Sequence, residues 1–108
     1  MIDFDLVAQK SVTAMKGGVG EAKVRAVDDG QVRIMKSILA PGASIGLHCH
    51  SDSCEIVYIL EGQATAYLNG AKEIVKAGQV HYCPKGSSHT MKNETDKPLV
   101  CLNIIPKM

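Results

Sequence analysis

The chain has no tryptophan, one phenylalanine and three tyrosines in 108 residues. A platform that stacks on unpaired bases needs several aromatic rings along a basic groove. Neither is available, because twelve Lys and Arg stand against eleven Asp and Glu and leave a formal net charge of +1. That balance gathers neither nucleic acid nor an anionic membrane surface, so neither is expected as a partner. Long apolar runs are missing as well. The longest, IVYIL (56–60), is strand-sized, far short of the roughly 20 residues that span a bilayer as a helix. The opening MIDFDLVAQK carries acids where a secretory leader carries basic residues, and it has no leader-like apolar stretch. A cytoplasmic protein is expected, in which thiols stay reduced. Cys49, Cys54, Cys83 and Cys101 form no CxxC pair, which removes the zinc-ribbon and thioredoxin-type patterns.

Helical periodicity is also absent, and short β-rich runs alternate with turn signals instead. AKVRAV breaks at DDG, QVRIMKSIL at APG, EIVYIL at EG, QATAYL at NG, KEIVKA at Gly78 and VHYC at PKG, before the last run PLVCLNII. Asp-Gly and Asn-Gly favour the positive backbone angles of tight hairpins. Strands at this spacing predict an all-β sandwich or barrel in one domain. The barrel is expected over 23–108, preceded by an N-terminal segment, 1–22, made of an edge strand or arm and a glycine-rich link. The stretch GGVG lacks the lysine and hydroxyl that a phosphate-binding loop would supply.

The chemistry concentrates in HCHSDSCE (48–55). Residues two apart in a strand share a face, so His48 and His50 project together while Cys49 points away. The short SDS turn brings Glu55, the first residue of the next apolar strand, within reach of both rings. A carboxylate beside an apolar lining is costly unless something neutralises it. On its own the pattern fits a wet loop as well as a metal site. The second half adds GQVHYCPKGSSHTMKN (78–93), which places His89 just after a Pro-x-Gly turn. Three imidazoles and a carboxylate suit one borderline divalent ion: iron, manganese, nickel, cobalt, copper or zinc.

These residues resemble the two signature motifs of the cupin superfamily. The first, G(X)5HXH(X)4E(X)6G, is filled by Gly42, His48, His50, Glu55 and Gly62. The second, G(X)5PXG(X)2H(X)3N, is filled by Gly78, Pro84, Gly86, His89 and Asn93. The resemblance implies an all-β double-stranded β-helix, a small jelly-roll barrel. It also implies a metal held by His48, His50, Glu55 and His89, and a single-domain homodimer. Apolar residues on both faces of IVYIL and VCLNII give the dimer a physical reason, since exposed apolar area of that kind is commonly covered by a partner.

Other residues carry conditional roles. His81 and Tyr82 are candidate catalytic groups, of which only one can face the barrel. An inward Arg33 would point to a carboxylate substrate. Met35, Leu39, Ile45, Val57 and Met91 are expected as cavity lining or core, Asn93 as a structural hydrogen-bonding residue, and Cys54, beside Glu55, either as a thiol that ligates or reacts or as a buried, inert small hydrophobe. The function expected is a metal-dependent oxidoreductase of the dioxygenase kind, or a related lyase or isomerase, acting on a small oxygen-bearing metabolite. The alternative is a non-catalytic cupin module that binds or senses a small ligand.

Overall fold

Ten strands take up the short runs, and they pair into two antiparallel sheets. The computed structural model describes residues 1–108. Its strands are β1 (Lys10–Thr13), β2 (Glu21–Asp28), β3 (Val32–Leu39), β4 (Ser44–Cys49), β5 (Glu55–Glu61), β6 (Gln63–Leu68), β7 (Ala71–Lys76), β8 (Val80–Cys83), β9 (Ser88–Lys92) and β10 (Leu99–Pro106). The larger sheet runs β1-β2-β3-β10-β5-β8 and the smaller β4-β9-β6-β7. The chain crosses repeatedly from one sheet to the other, so sequence neighbours such as β4 and β5 lie in different layers. This is the expected jelly roll, with two facing sheets rather than one hydrogen-bonded cylinder.

Alternation decides what each strand buries. On β3 the inward row is Arg33, Met35, Ser37 and Leu39, with Met35, Ser37 and Leu39 all buried. Ala22 and Val24 of β2, Val57 and Ile59 of β5, and Leu99 and Cys101 of β10 join them on the larger sheet's inner face, against Ala64, Ala66, Val75 and Met91 of the smaller sheet. Each fully buried Leu, Ile or Val contributes roughly 1.5–3 kcal/mol. Leu39 packs in this core rather than on the cavity wall. The β6–β7 hairpin turns at Asn69-Gly70, both with positive φ (48° and 83°), as the Asn-Gly dipeptide requires.

Asn93 ties the closed end. Its side-chain amide donates to the carbonyls of Leu39 and Lys97, and its oxygen accepts from the backbone N–H and hydroxyl of Thr95. β1 pairs with β2 at the edge of the larger sheet. The stretch that follows β1 is held against β4. The Ser44 N–H donates to the Val19 carbonyl at 2.8 Å, and the Val19 N–H donates to Ser44 Oγ at 3.0 Å. Gly18 and Gly46 sit where a Cβ would lie 2.1 Å from the Ser44 carbonyl oxygen and 2.0 Å from that of Lys16. Only residues without side chains allow the two backbones to meet there.

Of the four thiols, Cys54, Cys83 and Cys101 are buried and Cys49 is exposed. Burial pushes Cys83 up to about 11 and Cys101 up to about 12, far from the thiolate form that reacts. Titration of native protein with a disulfide reagent near pH 8 should modify one thiol per chain, Cys49, with all four reacting after denaturation. Fast reaction of two or more in the native state would contradict this packing.

Candidate metal centre

The site lies between the two sheets. His48 and His89 are direct cross-strand partners in the β4–β9 ladder, so their rings stand side by side. Glu55 opens β5 in the opposite sheet. The pairing of β4 with β9 shifts between Ile45 and His48, a bulge that lets Ile45 and His48, three apart, both face inward. His50 follows β4, and its backbone is bonded to the second motif's turn: its N–H donates to the Ser87 carbonyl and its carbonyl accepts from Gly86. The two motifs therefore brace each other through main-chain bonds.

Four donor atoms converge. His89 Nε2 lies 3.0 Å from His50 Nε2, 3.1 Å from His48 Nε2 and 3.0 Å from Glu55 Oε1, and His50 Nε2 lies 3.0 Å from the same oxygen. Adjacent donors around a cation with bonds of about 2.1 Å sit roughly 3.0 Å apart when the bonds are at right angles. Contacts at the outer ring nitrogens orient all three rings and fix the tautomer of His48 and His89. His48 Nδ1 is 2.8 Å from the Gly46 carbonyl, which can only accept, so the proton resides on Nδ1. His50 Nδ1 meets Ser53 Oγ at 3.0 Å. His89 Nδ1 meets His81 Nε2 at 3.0 Å, and His81 Nδ1 meets Glu73 Oε1 at 2.5 Å. With Glu73 accepting from His81 and His81 accepting from His89, the lone pair of His89 Nε2 points inward. The four inner donor atoms, within 4.8 Å of one another, form a set that a divalent cation satisfies at once.

Glu55 is held as carboxylate. Burial pushes its pKa up, but the adjoining His50 and His89 rings and a hydrogen bond from Asn103 outweigh that and set it well below the usual range. Asn103 Nδ2 donates to Glu55 Oε2 at 3.0 Å, and Ser37 Oγ donates to Asn103 Oδ1 at 2.7 Å, a buried chain across β3, β10 and β5. Burial likewise holds His48 below its ordinary value, partly offset by its bond to Gly46.

The four residues expected as ligands are thus brought together, all their donor atoms lying within 4.8 Å of one another. They open onto a cavity of about 520 Å³ whose wall includes Met35, Ile45, Val57 and Met91, and also Arg33. Of the two candidate catalytic residues, Tyr82 faces away, 49% exposed on the outer side of β8. His81 faces in but is completely buried behind His89, off the cavity wall. Cys54 is buried and outside the donor cluster. Sequence reasoning missed Ser37, Asn103, Ser53 and Glu73. Asn103 had a signal, as the one amide inside the apolar run LVCLNII. Glu73 had none, since in KEIVKA it reads as a solvated strand residue.

Comparison with known proteins agrees with this layout. Residues 35–105 match the cupin domain. An oxalate-binding protein of Thermotoga maritima is 31% identical over 105 residues, covering 92% of this chain and 87% of that protein. The crystal structure of a predicted oxalate decarboxylase from the same organism superposes with a TM-score of 0.93 at 29% identity, covering 100% of this chain and 99% of the other. A variant of Bacillus subtilis oxalate decarboxylase matches with a TM-score of 0.71 at 28% identity, over 80% of this chain and 26% of that one.

Acid should weaken the metal-free protein through Glu55 and His48. Glu55 is held below its ordinary 4.5 and His48 below its ordinary 6.5. Each therefore stabilises the fold fully above its unfolded value, and the contribution is lost as pH falls through the folded one. Denaturant midpoints should fall steadily below about pH 6.5. Asn103→Ala, which leaves a buried carboxylate oxygen one donor short, should cost about 1–3 kcal/mol at pH 7. Equal stability at pH 7 and pH 4, or a neutral Asn103→Ala, would count against this arrangement.

Proposed function

The chain belongs to the cupin domain family, and from that premise we propose that it is a metal-dependent enzyme acting on a small oxygen-bearing acid, of the lyase or dioxygenase kind. The observation that carries the reading is the convergence of His48, His50, Glu55 and His89 at the base of an open cavity. A bound divalent metal supplies Lewis acidity there and a template for chelating oxygens. This chain's residues do the rest. Gly46, Ser53 and His81 fix the three rings, Asn103 orients the carboxylate, and the Met, Ile and Val wall limits water around the ligand. The relatives described as oxalate-binding and as a predicted oxalate decarboxylase support a carboxylate ligand.

A binding module is the second reading, and one observation favours it: neither His81 nor Tyr82 reaches the cavity as a general acid or base. One experiment separates the two. Protein purified without chelator should carry one divalent transition metal per chain, lost in His50→Ala. Iron, manganese, nickel and cobalt forms are then tested on small keto acids, diketones and dicarboxylates, recording oxygen uptake and carbon dioxide release. Turnover by one metal form, abolished in His89→Ala, supports the enzyme. Tight binding with no conversion by any form supports the module.

The homodimer belongs to the same proposal. Tyr58, Leu60, Val80 and Tyr82 form an exposed apolar group on the outer face of β5 and β8, continued inward along the sheet by Ile56, Leu102 and Ile104. Charge placed there should split the pair. Light scattering is expected to give twice the chain mass for wild type and a monomer for Tyr58→Asp. A monomeric wild type at micromolar concentration overturns it.

A further inference from the structure

The inward row of β3 ends at the open end of the barrel with Arg33, on the wall of the cavity above the donor cluster. Its guanidinium is not consumed elsewhere. Asp28 Oδ2 lies 4.0 Å from Nη1, with both side chains well exposed, an ion pair of little worth. A second basic residue, Lys16, lines the same cavity together with Met15, both from the turn Met15–Gly17. That turn is fixed: Gly18 and Gly46 let it close on β4, and Ala14 and Lys16 are both held at positive φ, 53° and 54°. Non-glycine residues persist there only where their surroundings over-determine them, at an energetic cost of roughly 1–3 kcal/mol each. Asp52 is the one carboxylate on the wall besides Glu55, so the mouth carries two cations against one acid.

Besides the charged residues and the donor cluster, much of the wall is apolar, with Met15, Met35, Ile45, Val57, Met91 and Ile105. Three flexible thioethers make an adaptable lining. Oxalate has two carboxylates and no carbon between them, so it offers this wall nothing to bury. A cavity of about 520 Å³ falls in the range of sites for considerably larger ligands.

We propose that the ligand is a dicarboxylate longer than oxalate, one end at the donor cluster, the distal carboxylate on Arg33 with Lys16 beside it, and the intervening carbons against Met35, Met91 and Ile105. This rests on the proposed metal site being the ligand site. The geometry suits Arg33 in particular, because a planar guanidinium grips a carboxylate through two parallel N–H bonds where an ammonium makes a point contact.

The test is calorimetric titration of metal-loaded protein with the saturated series oxalate, malonate, succinate, glutarate and adipate, each beside the monocarboxylate of equal length. Affinity should peak at a diacid beyond oxalate. Arg33→Met should weaken that diacid about 10-fold or more while leaving the monocarboxylate and the melting temperature unchanged, and Arg33→Lys should recover part of the loss. Lys16→Gln should have the smaller effect in the same direction. Oxalate binding tightest and indifferent to Arg33→Met would overturn the proposal and leave the metal site standing. Equal losses for monoacid and diacid would also overturn it. Wild type that loads metal yet binds none of the acids, or loads no metal at all, would remove the ligand site itself and the proposal with it.

Discussion

Everything in this molecule is arranged around a juxtaposition that is unfavourable in isolation: three imidazoles and a carboxylate whose inner donor atoms lie within 4.8 Å of one another, with His89 Nε2 about 3 Å from each of the other three, at the base of the cavity. Such groups separate, protonate or turn away unless each is held from behind. Each is. A main-chain carbonyl holds His48, a serine holds His50, a buried histidine on a glutamate holds His89, and an asparagine on a serine holds Glu55. These supports come from β4, the loop after it, β7, β8, β10 and β3, so both sheets must be assembled before the site can exist. The His81–Glu73 contact also bridges the larger sheet's β8 to the smaller sheet's β7, at an edge where no backbone ladder joins the two layers. Site and fold share that clasp.

The donor set was legible in the sequence because it is written in local spacing. His48 and His50 are two positions apart, Glu55 follows one turn later, and His89 sits behind a Pro-x-Gly turn. Strand existence was legible for the same reason, from runs of β-branched residues between Gly, Asn and Asp. What holds the donors was not legible. Ser37 and Asn103 meet across 66 positions, and Asn103 meets Glu55 across 48. Such pairings depend on which strand lies beside which, and the order β3-β10-β5 cannot be deduced from any one strand's pattern. Arg33, His81 and Tyr82 stayed open because a strand's alternation says which residues share a face, not which face turns inward.

One local feature of β4 defeated simple alternation altogether. Counting by twos along SIGLHC puts Ile45 and Leu47 on one face and His48 on the other. The bulge breaks that count, and Leu47 is left exposed while Ile45 and His48 both face in. Gly46 is the residue at which this happens, and it is also where the turn after β1 closes on the barrel. Glycines that suggest a slack connection in the sequence are here contact points, because the same missing Cβ that permits flexibility permits close approach.

The two ends of the barrel therefore answer different questions. The closed end, with Leu39, Ile59, Leu99 and the Asn93 hub, specifies the fold, and the donor cluster above it specifies that a divalent cation can be held. Neither chooses a substrate, since one donor set on one fold serves many reactions. That choice falls to the open end, where Arg33 comes from the start of β3 and Met15 and Lys16 come from the β1–β2 connection. A rigid scaffold with its selective residues on adjoining loops and strand ends is a common division of labour in binding sites. A chain can share the barrel and all four donors with this one and still differ in what it binds, because Arg33 and Lys16 come from segments that neither signature motif contains.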